Sequence, residues 1–214
     1  MKFKKYWRKT SLKTENDGSF FLNHIKEYKP KNFLEIGVFH GVTSRNICNL
    51  LNKIHGRDFS FTGIDIFSID KDLTKNEFIP QTKFSNPIKS FYYKYIIKLD
   101  PYTIESVERL LKKYKKNVKI IKGNSNKVLQ EININNFDYV FLDGGHKYET
   151  VFKDLKTLTS VVYNDGVILC DDYDLTYAPG VKKAVDEYAI INNFNLKILN
   201  FRFAEITKKI ISPS

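Results

Sequence analysis

Strand-length apolar runs alternate with helical periodicity along nearly the whole chain, and each run breaks off at a glycine, an acid or an amide. Asn32–Val38, Phe59–Ile66, Val118–Ile121, Phe137–Leu142 and Val167–Cys170 are such runs. The polar residues at their ends are Glu35 and Gly37, Asp65, Asn124, Asp143, and Asp171 with Asp172. Between them Ile47, Leu50, Leu51 and Ile54 recur at helical spacing. So do Ile104, Val107, Leu110 and Leu111 within Thr103–Tyr114, then Tyr148, Val151, Phe152, Leu155 and Leu158, then Val181, Ala184, Val185 and Tyr188. Leu196–Phe201 and Ala204–Thr207 read as a closing pair of strands. This alternation predicts an α/β fold: a Rossmann-like three-layer sandwich with a mostly parallel seven-stranded sheet and helices on both faces. The ligand crevice of such a sheet lies at the carboxyl ends of its strands, where the polar residues fall.

At 214 residues without a Gly/Ser- or Pro-rich linker, the chain is expected to form a single domain, 1–214. Residues 1–30 read as an N-terminal extension with a helix over Gly18–Tyr28, stopped by Pro30. Thr43 or Ser44 is placed to cap the helix after the first strand. Residues 67–100, rich in Phe, Tyr and Lys, read as an insertion, either a candidate acceptor lid or a helical insertion with its aromatics as its own small core. Cys48 and Cys170 lack metal-ligand spacing and read as buried thiols. No apolar run is long enough for a membrane span, and the basic first residues lack a secretory h-region, so the expected location is cytoplasmic. The net charge of +11 is mostly lysine and reads as spread over several segments. It would attract a phosphate-bearing acceptor and leaves nucleic acid open as a partner. Assembly is left open between a monomer and a homo-oligomer.

Glu35-Ile-Gly-Val-Phe-His-Gly41 stands at a strand-to-helix turn, where glycines admit a ligand to the backbone. The dinucleotide pattern G-x-G-x-x-G is absent, since Phe39 and Val42 occupy its second and third glycine positions. The pattern present, E-x-G-x-x-x-G, suits S-adenosylmethionine. Glu35 would receive the ammonium of its methionine part, and Ser44 with the first amides of the helix would hold its carboxylate. Asp65 would accept the ribose hydroxyls, and Asn124 with Ser125 would read the adenine edge. Gly37 and Gly41 would give it room.

On LEIGVFHGVTS, FTGIDIF, IIKGNSNKVL, FDYVFLDGGHKYETVFKDL, GVILCDDY and PGVKKAVDEY, the chain resembles the class I S-adenosylmethionine-dependent methyltransferases. Within them it is similar to the macrocin-type sugar O-methyltransferases and their unassigned relatives. The resemblance spans Asn32 to Ile191. It implies methyl transfer to a small acceptor, a sugar or sugar nucleotide among the choices.

On the acceptor side Asp143, Asp171 and Asp172 end adjacent strands and are expected to converge. Three unpaired carboxylates repel, and a divalent cation, Mg²⁺ by preference, would relieve them and acidify a bound hydroxyl. The resemblance implies the same ligand set. It also implies an acid two residues after Asp143, where this chain has Gly145. His146 is then the nearest general base, with Asp143 beside it as a second catalytic and cofactor contact. The competing readings are a nucleic-acid methyltransferase, which would more often carry an N/D-P-P-Y/F motif after the fourth strand, and a non-catalytic cofactor-binding module, which would not need three acids.

Overall fold

The computed structural model describes residues 1–68 and 82–209. The strands are β1 (Asn32–Ile36), β2 (Ser60–Asp65), β3 (Val118–Lys122), β4 (Tyr139–Leu142), β5 (Val167–Cys170), β6 (Asn195–Leu199) and β7 (Phe203–Thr207). They form one seven-stranded sheet in the order β3-β2-β1-β4-β5-β7-β6. All pairings from β3 through β5 are parallel, whereas β7 enters antiparallel between β5 and β6. The expected closing pair is therefore a hairpin. Its turn holds Asn200 and Phe201, both left-handed at φ 57° and 58°, which ends β6 earlier than the apolar pattern suggests.

Alternate residues of each strand point to opposite faces. Phe33, Phe61, Tyr139, Phe141, Leu169 and Phe203 fill one core layer beneath α1 (Glu15–Tyr28), α2 (Val42–His55) and, beyond the short helix α3 described below, α4 (Ile104–Leu111). Leu34, Ile64, Val140, Leu142, Ile168 and Ile206 fill the other. Four helices carry that second layer: α5 (Ser125–Glu131), α6 (Tyr148–Thr157), α7 (Thr159–Tyr163) and α8 (Pro179–Ile191). The sandwich has helices on both faces, as the alternation requires. Cys48 and Cys170 are free and buried within it. No helix among the described residues is long and apolar enough to cross a membrane.

Two local expectations change. The first helix starts at Glu15, because the Thr14 hydroxyl accepts from the Asp17 amide and caps it three residues before Gly18. Helix α2 has Gly41 as its N-cap at φ 73° with no side-chain cap, since Ser44 is turned inward. The N-terminal 30 residues pack onto the sheet. Phe21 packs on Phe141 at 4.4 Å, and His24 bridges the Tyr139 hydroxyl (2.7 Å) and Glu205 (2.6 Å), tying α1 to β4 and β7.

Of the 67–100 insertion, residues 69–81 lie outside the described residues. The described part holds a short helix, α3 (Pro87–Phe91), which continues as a π-helical turn over Tyr92–Ile97.

Candidate active site

A cavity of about 760 Å³ opens at the carboxyl ends of the parallel strands. That size is within the range of small-molecule sites. Gly37 and Asp65 line it from β1 and β2, Asn124 and Ser125 follow β3, Asp143 and His146 follow β4, and Asp172 follows β5. One wall is unexpected. Residues Lys5 to Lys13, which carry no recognised motif, fold across the strand ends as an arm. Arg8 pins this arm from inside by donating to the carbonyls of His40 (3.0 Å) and Ser106 (3.0 Å) and to the Ser106 hydroxyl (2.9 Å). His40 is buried against it. Desolvation, with Arg8 and Lys9 nearby, pulls its pKa down to about 3, so the ring is neutral.

Gly37 explains the close spacing of the two halves of the site. Its φ is 97°, and a Cβ there would lie 2.0 Å from the Asp143 carbonyl oxygen. Only glycine lets the ends of β1 and β4 approach so closely. Gly41, at the head of α2, faces Val107 instead and does not line the cavity.

Asp65 is a hub. Its Oδ2 accepts from the Phe39 amide at 2.7 Å, and its Oδ1 from the Phe67 amide (2.8 Å) and the Tyr102 hydroxyl (2.9 Å). Burial raises its pKa against these donors. A carboxylate offers about four acceptor positions. Three are used, so one further hydroxyl fits while Tyr102 stays, and two fit only if Tyr102 moves. Asn124, which lines the cavity, spends its amide oxygen capping α5 through the Asn126 amide (3.0 Å). Ser125 donates to Asp154 at 2.7 Å.

Glu35 and Ser44 lie behind the cavity wall, not on it. Ser44 Oγ donates to Glu35 Oε2 in a wholly buried pair under α2, and burial holds the Glu35 carboxyl well above its ordinary range. Glu35 Oε1 has no hydrogen-bond partner among the described residues. Such a group is costly unless satisfied. An ammonium group, or a water bridging to one, would satisfy it. With the cavity, Asp65 and the Gly37 approach, the residues present fit S-adenosylmethionine.

Asp143, Asp171 and Asp172 do converge, with one carboxylate oxygen of each within 4.8 Å of the others. They are not unpaired, however. Arg202, at the start of β7, donates Nε to Asp171 Oδ1 (2.6 Å) and Nη2 to Asp171 Oδ2 (2.7 Å), and Nη2 lies 3.2 Å from Asp172 Oδ1. Asp172 Oδ1 also accepts from Tyr177 (2.8 Å), Asp172 Oδ2 meets His146 Nε2 at 3.0 Å, and Asp143 Oδ2 accepts from Ser11 (2.7 Å). Burial, then the two neighbouring acids, push Asp143 well up, and burial holds Asp171 at about 6 despite Arg202. Burial also acts on Asp172, but His146, Arg202 and Tyr177 outweigh it and lower its pKa. Asp172 sits at φ 58°, a strained setting for a non-glycine residue. The three acids are therefore not bare: every oxygen of Asp171 and Asp172 already has a donor, and a divalent ion held on Asp143, Asp171 and Asp172 would share those oxygens with Arg202, Tyr177 and His146.

His146 is held from two sides. Asp172 fixes its ring, and α8 presses its second residue, Gly180, against the His146 carbonyl, where a Cβ would come within 2.6 Å.

The family model of the methyltransferase domain matches residues 34–173. A search of curated proteins finds no match. Among solved structures, the O-methyltransferase NovP superposes with a TM-score of 0.64 at 19% identity, over 90% of this chain and 81% of that one. A Podospora anserina methyltransferase, PaMTH1, bound to S-adenosylhomocysteine, gives 0.60 at 18% identity over 92% and 80%. The calicheamicin methyltransferase CalS11 gives 0.60 at 14% identity over 88% and 77%. With the matched residues running from β1 to just past β5 and including most of the residues that line the cavity, the chain belongs to the methyltransferase domain family and is a class I S-adenosylmethionine-dependent methyltransferase.

Proposed function

We propose that this enzyme methylates a hydroxyl oxygen of a small acceptor, with a sugar or sugar nucleotide as the leading acceptor class. The observation that carries the reading is the His146–Asp172 pair, 3.0 Å apart, in the same cavity as Asp65. S-adenosylmethionine supplies an activated methyl group when bound. Asp65 would hold a ribose hydroxyl, the Asn124 amino group would meet the adenine edge, and Glu35, behind the wall, would reach the ammonium through a bridging water.

The chain's own residues then have two tasks. The first is to bring the acceptor oxygen into line, about 3 Å from the methyl carbon. The second is to take its proton. When His146 Nε2 donates to Asp172, the neutral ring carries its lone pair on the buried Nδ1, and the acceptor would have to approach that atom to deliver its proton there. Asp172, kept ionised by Arg202 and Tyr177, stabilises the imidazolium as the O–CH₃ bond forms and the sulfur–methyl bond breaks. Arg202 supplies the compensating charge that the sequence reading gave to Mg²⁺.

Sugar acceptors are supported from two directions. CalS11 is described as a TDP-rhamnose 3'-O-methyltransferase. In this chain, Lys5, Lys9 and Lys13 of the arm line the cavity and offer positive charge to a phosphate-bearing acceptor. The test is a panel of nucleotide-linked sugars, free sugars and small phenols, followed by S-adenosylhomocysteine release and mass gain on the acceptor. Methylation at nitrogen, or turnover on none of the hydroxylated compounds, would overturn the proposal.

A further inference from the structure

Two segments that are distant in sequence are basic and free of acids: residues 1–13 contain six Lys and Arg and residues 82–98 contain four, with no Asp or Glu in either.

The fold brings these segments together. Trp7 of the arm meets Tyr92 edge-on at 5.7 Å, and the Arg8 guanidinium lies over the Tyr93 ring at 5.9 Å. Around this contact the polarity of the helical segment is inverted. Tyr93 is buried against the body, while Ile88, Phe91, Tyr95 and Ile96 face solvent at 53–66% exposure, with Lys83, Lys94 and Lys98 exposed among them. Trp7 is 54% exposed. It is thrust outward by two successive non-glycine residues at positive φ, Tyr6 (49°) and Trp7 itself (61°), while the Tyr6 hydroxyl is anchored to Asn49 at 2.7 Å. A turn strained to expose an indole points to a use for the indole.

We propose that this face seats the protein on an anionic lipid bilayer, with the mouth of the methyltransferase cavity beside the headgroups. Lysines around an outward apolar stripe match the surface of such a bilayer, and Trp and Tyr favour its interface. The aliphatic Ile88 and Ile96 suit hydrocarbon better than nucleic-acid bases, which stack on aromatic rings. One exposed lysine, Lys2, is shared with Glu15 at 3.1 Å, a surface pair of little energetic weight. The arm links the two functions, since Lys5, Arg8 and Lys9 line the cavity. The inference is independent of which acceptor is methylated.

Trp7 is the only tryptophan in the chain, so its emission reports this contact directly. Vesicles of phosphatidylglycerol and phosphatidylcholine should sediment the protein and shift Trp7 emission to the blue, while pure phosphatidylcholine should do neither. Added salt should reverse the binding. The double variant Ile88→Ser, Phe91→Ser should weaken partitioning by about tenfold or more, and Lys94→Glu by about fivefold, with calorimetric cofactor binding unchanged as the control for folding. Equal sedimentation with both vesicle types, or an unshifted Trp7, overturns the proposal. So does a stable dimer that the Ile88→Ser, Phe91→Ser variant dissolves without any vesicle binding, which would assign the face to a second copy of the chain. Binding to poly(U) with no binding to vesicles would assign it to nucleic acid instead.

Discussion

Arg202 lays its guanidinium across both oxygens of Asp171, 31 residues earlier in the chain. This fork partly neutralises the acid cluster. Methyl transfer should therefore survive exhaustive chelation, and metal analysis of the purified enzyme should find no stoichiometric divalent ion. Arg202→Met should cost about 3–5 kcal/mol of stability by leaving a buried charge uncompensated, and turnover should fall with it. Arg202→Lys keeps the charge but not the fork, and should lie between. Turnover that vanishes with chelator and returns with Mg²⁺ would restore the metal.

His146→Ala is expected to lower kcat by about 10²–10⁴-fold while leaving S-adenosylmethionine affinity within about twofold, because the ring is held by Asp172 and is none of the proposed adenosine contacts. Asp172→Asn should show part of the same loss. Unchanged kcat in His146→Ala would move proton removal elsewhere.

Asp65 and Tyr102 make opposite predictions for cofactor binding. Asp65→Ala should weaken S-adenosylmethionine by about tenfold or more, since a charge-assisted hydrogen bond is lost together with the anchor for the Phe39 and Phe67 amides. Tyr102→Phe removes a competing donor from Asp65 Oδ1 and should leave affinity equal or better. Calorimetry on the two variants would show whether both ribose hydroxyls reach the carboxylate, and a large loss in Tyr102→Phe would refute this account.

Acid should loosen the molecule at α1 before it reaches the cavity. The bond from His24 holds Glu205 below the ordinary glutamate range. A carboxylate with a lowered folded pKa contributes stability above its unfolded value, about 4.3, and loses it as pH falls through the folded value. Thermal midpoints should drop over that window, and His24→Ala should lose about 2–3 kcal/mol at neutral pH and flatten the acid limb. An acid limb unchanged by the substitution would place the sensitive group elsewhere.

Much of this architecture was legible in the sequence, because parallel strands buried on both faces are continuous apolar runs. Val167–Cys170 and Tyr139–Leu142 were placed within two residues for that reason. The helix Ser125–Glu131 was missed, being short, although Asn124 as its cap was a readable signal. Thr14 with Asp17 was another. The site divides the same way. Gly37, Asp65, Asn124, Asp143, His146 and Asp172 stand at strand ends and all reach the cavity. Glu35 and Ser44 alternate to the far side of the wall, a consequence of strand and helix facing that the motif alone does not convey. Arg202, Tyr177 and the Lys5–Lys13 arm had no motif at all. They are delivered by topology: a hairpin turn, a loop after β5 and an N-terminal crossing.

The placement of β7 bears on biosynthesis. Synthesis proceeds from the N-terminus, so Asp143, Asp171 and Asp172 leave the ribosome before the strand that begins beside Arg202. Until then a nascent chain carries three crowded acids without their cation, next to a β5 edge whose partner does not yet exist. The final strand must then insert between two that are already present, a late, non-local step of the kind that slows folding and exposes edges to other chains. The residue that discharges the catalytic cluster is thus also part of the segment that seals the sheet, and electrostatic completion of the site coincides with the end of folding.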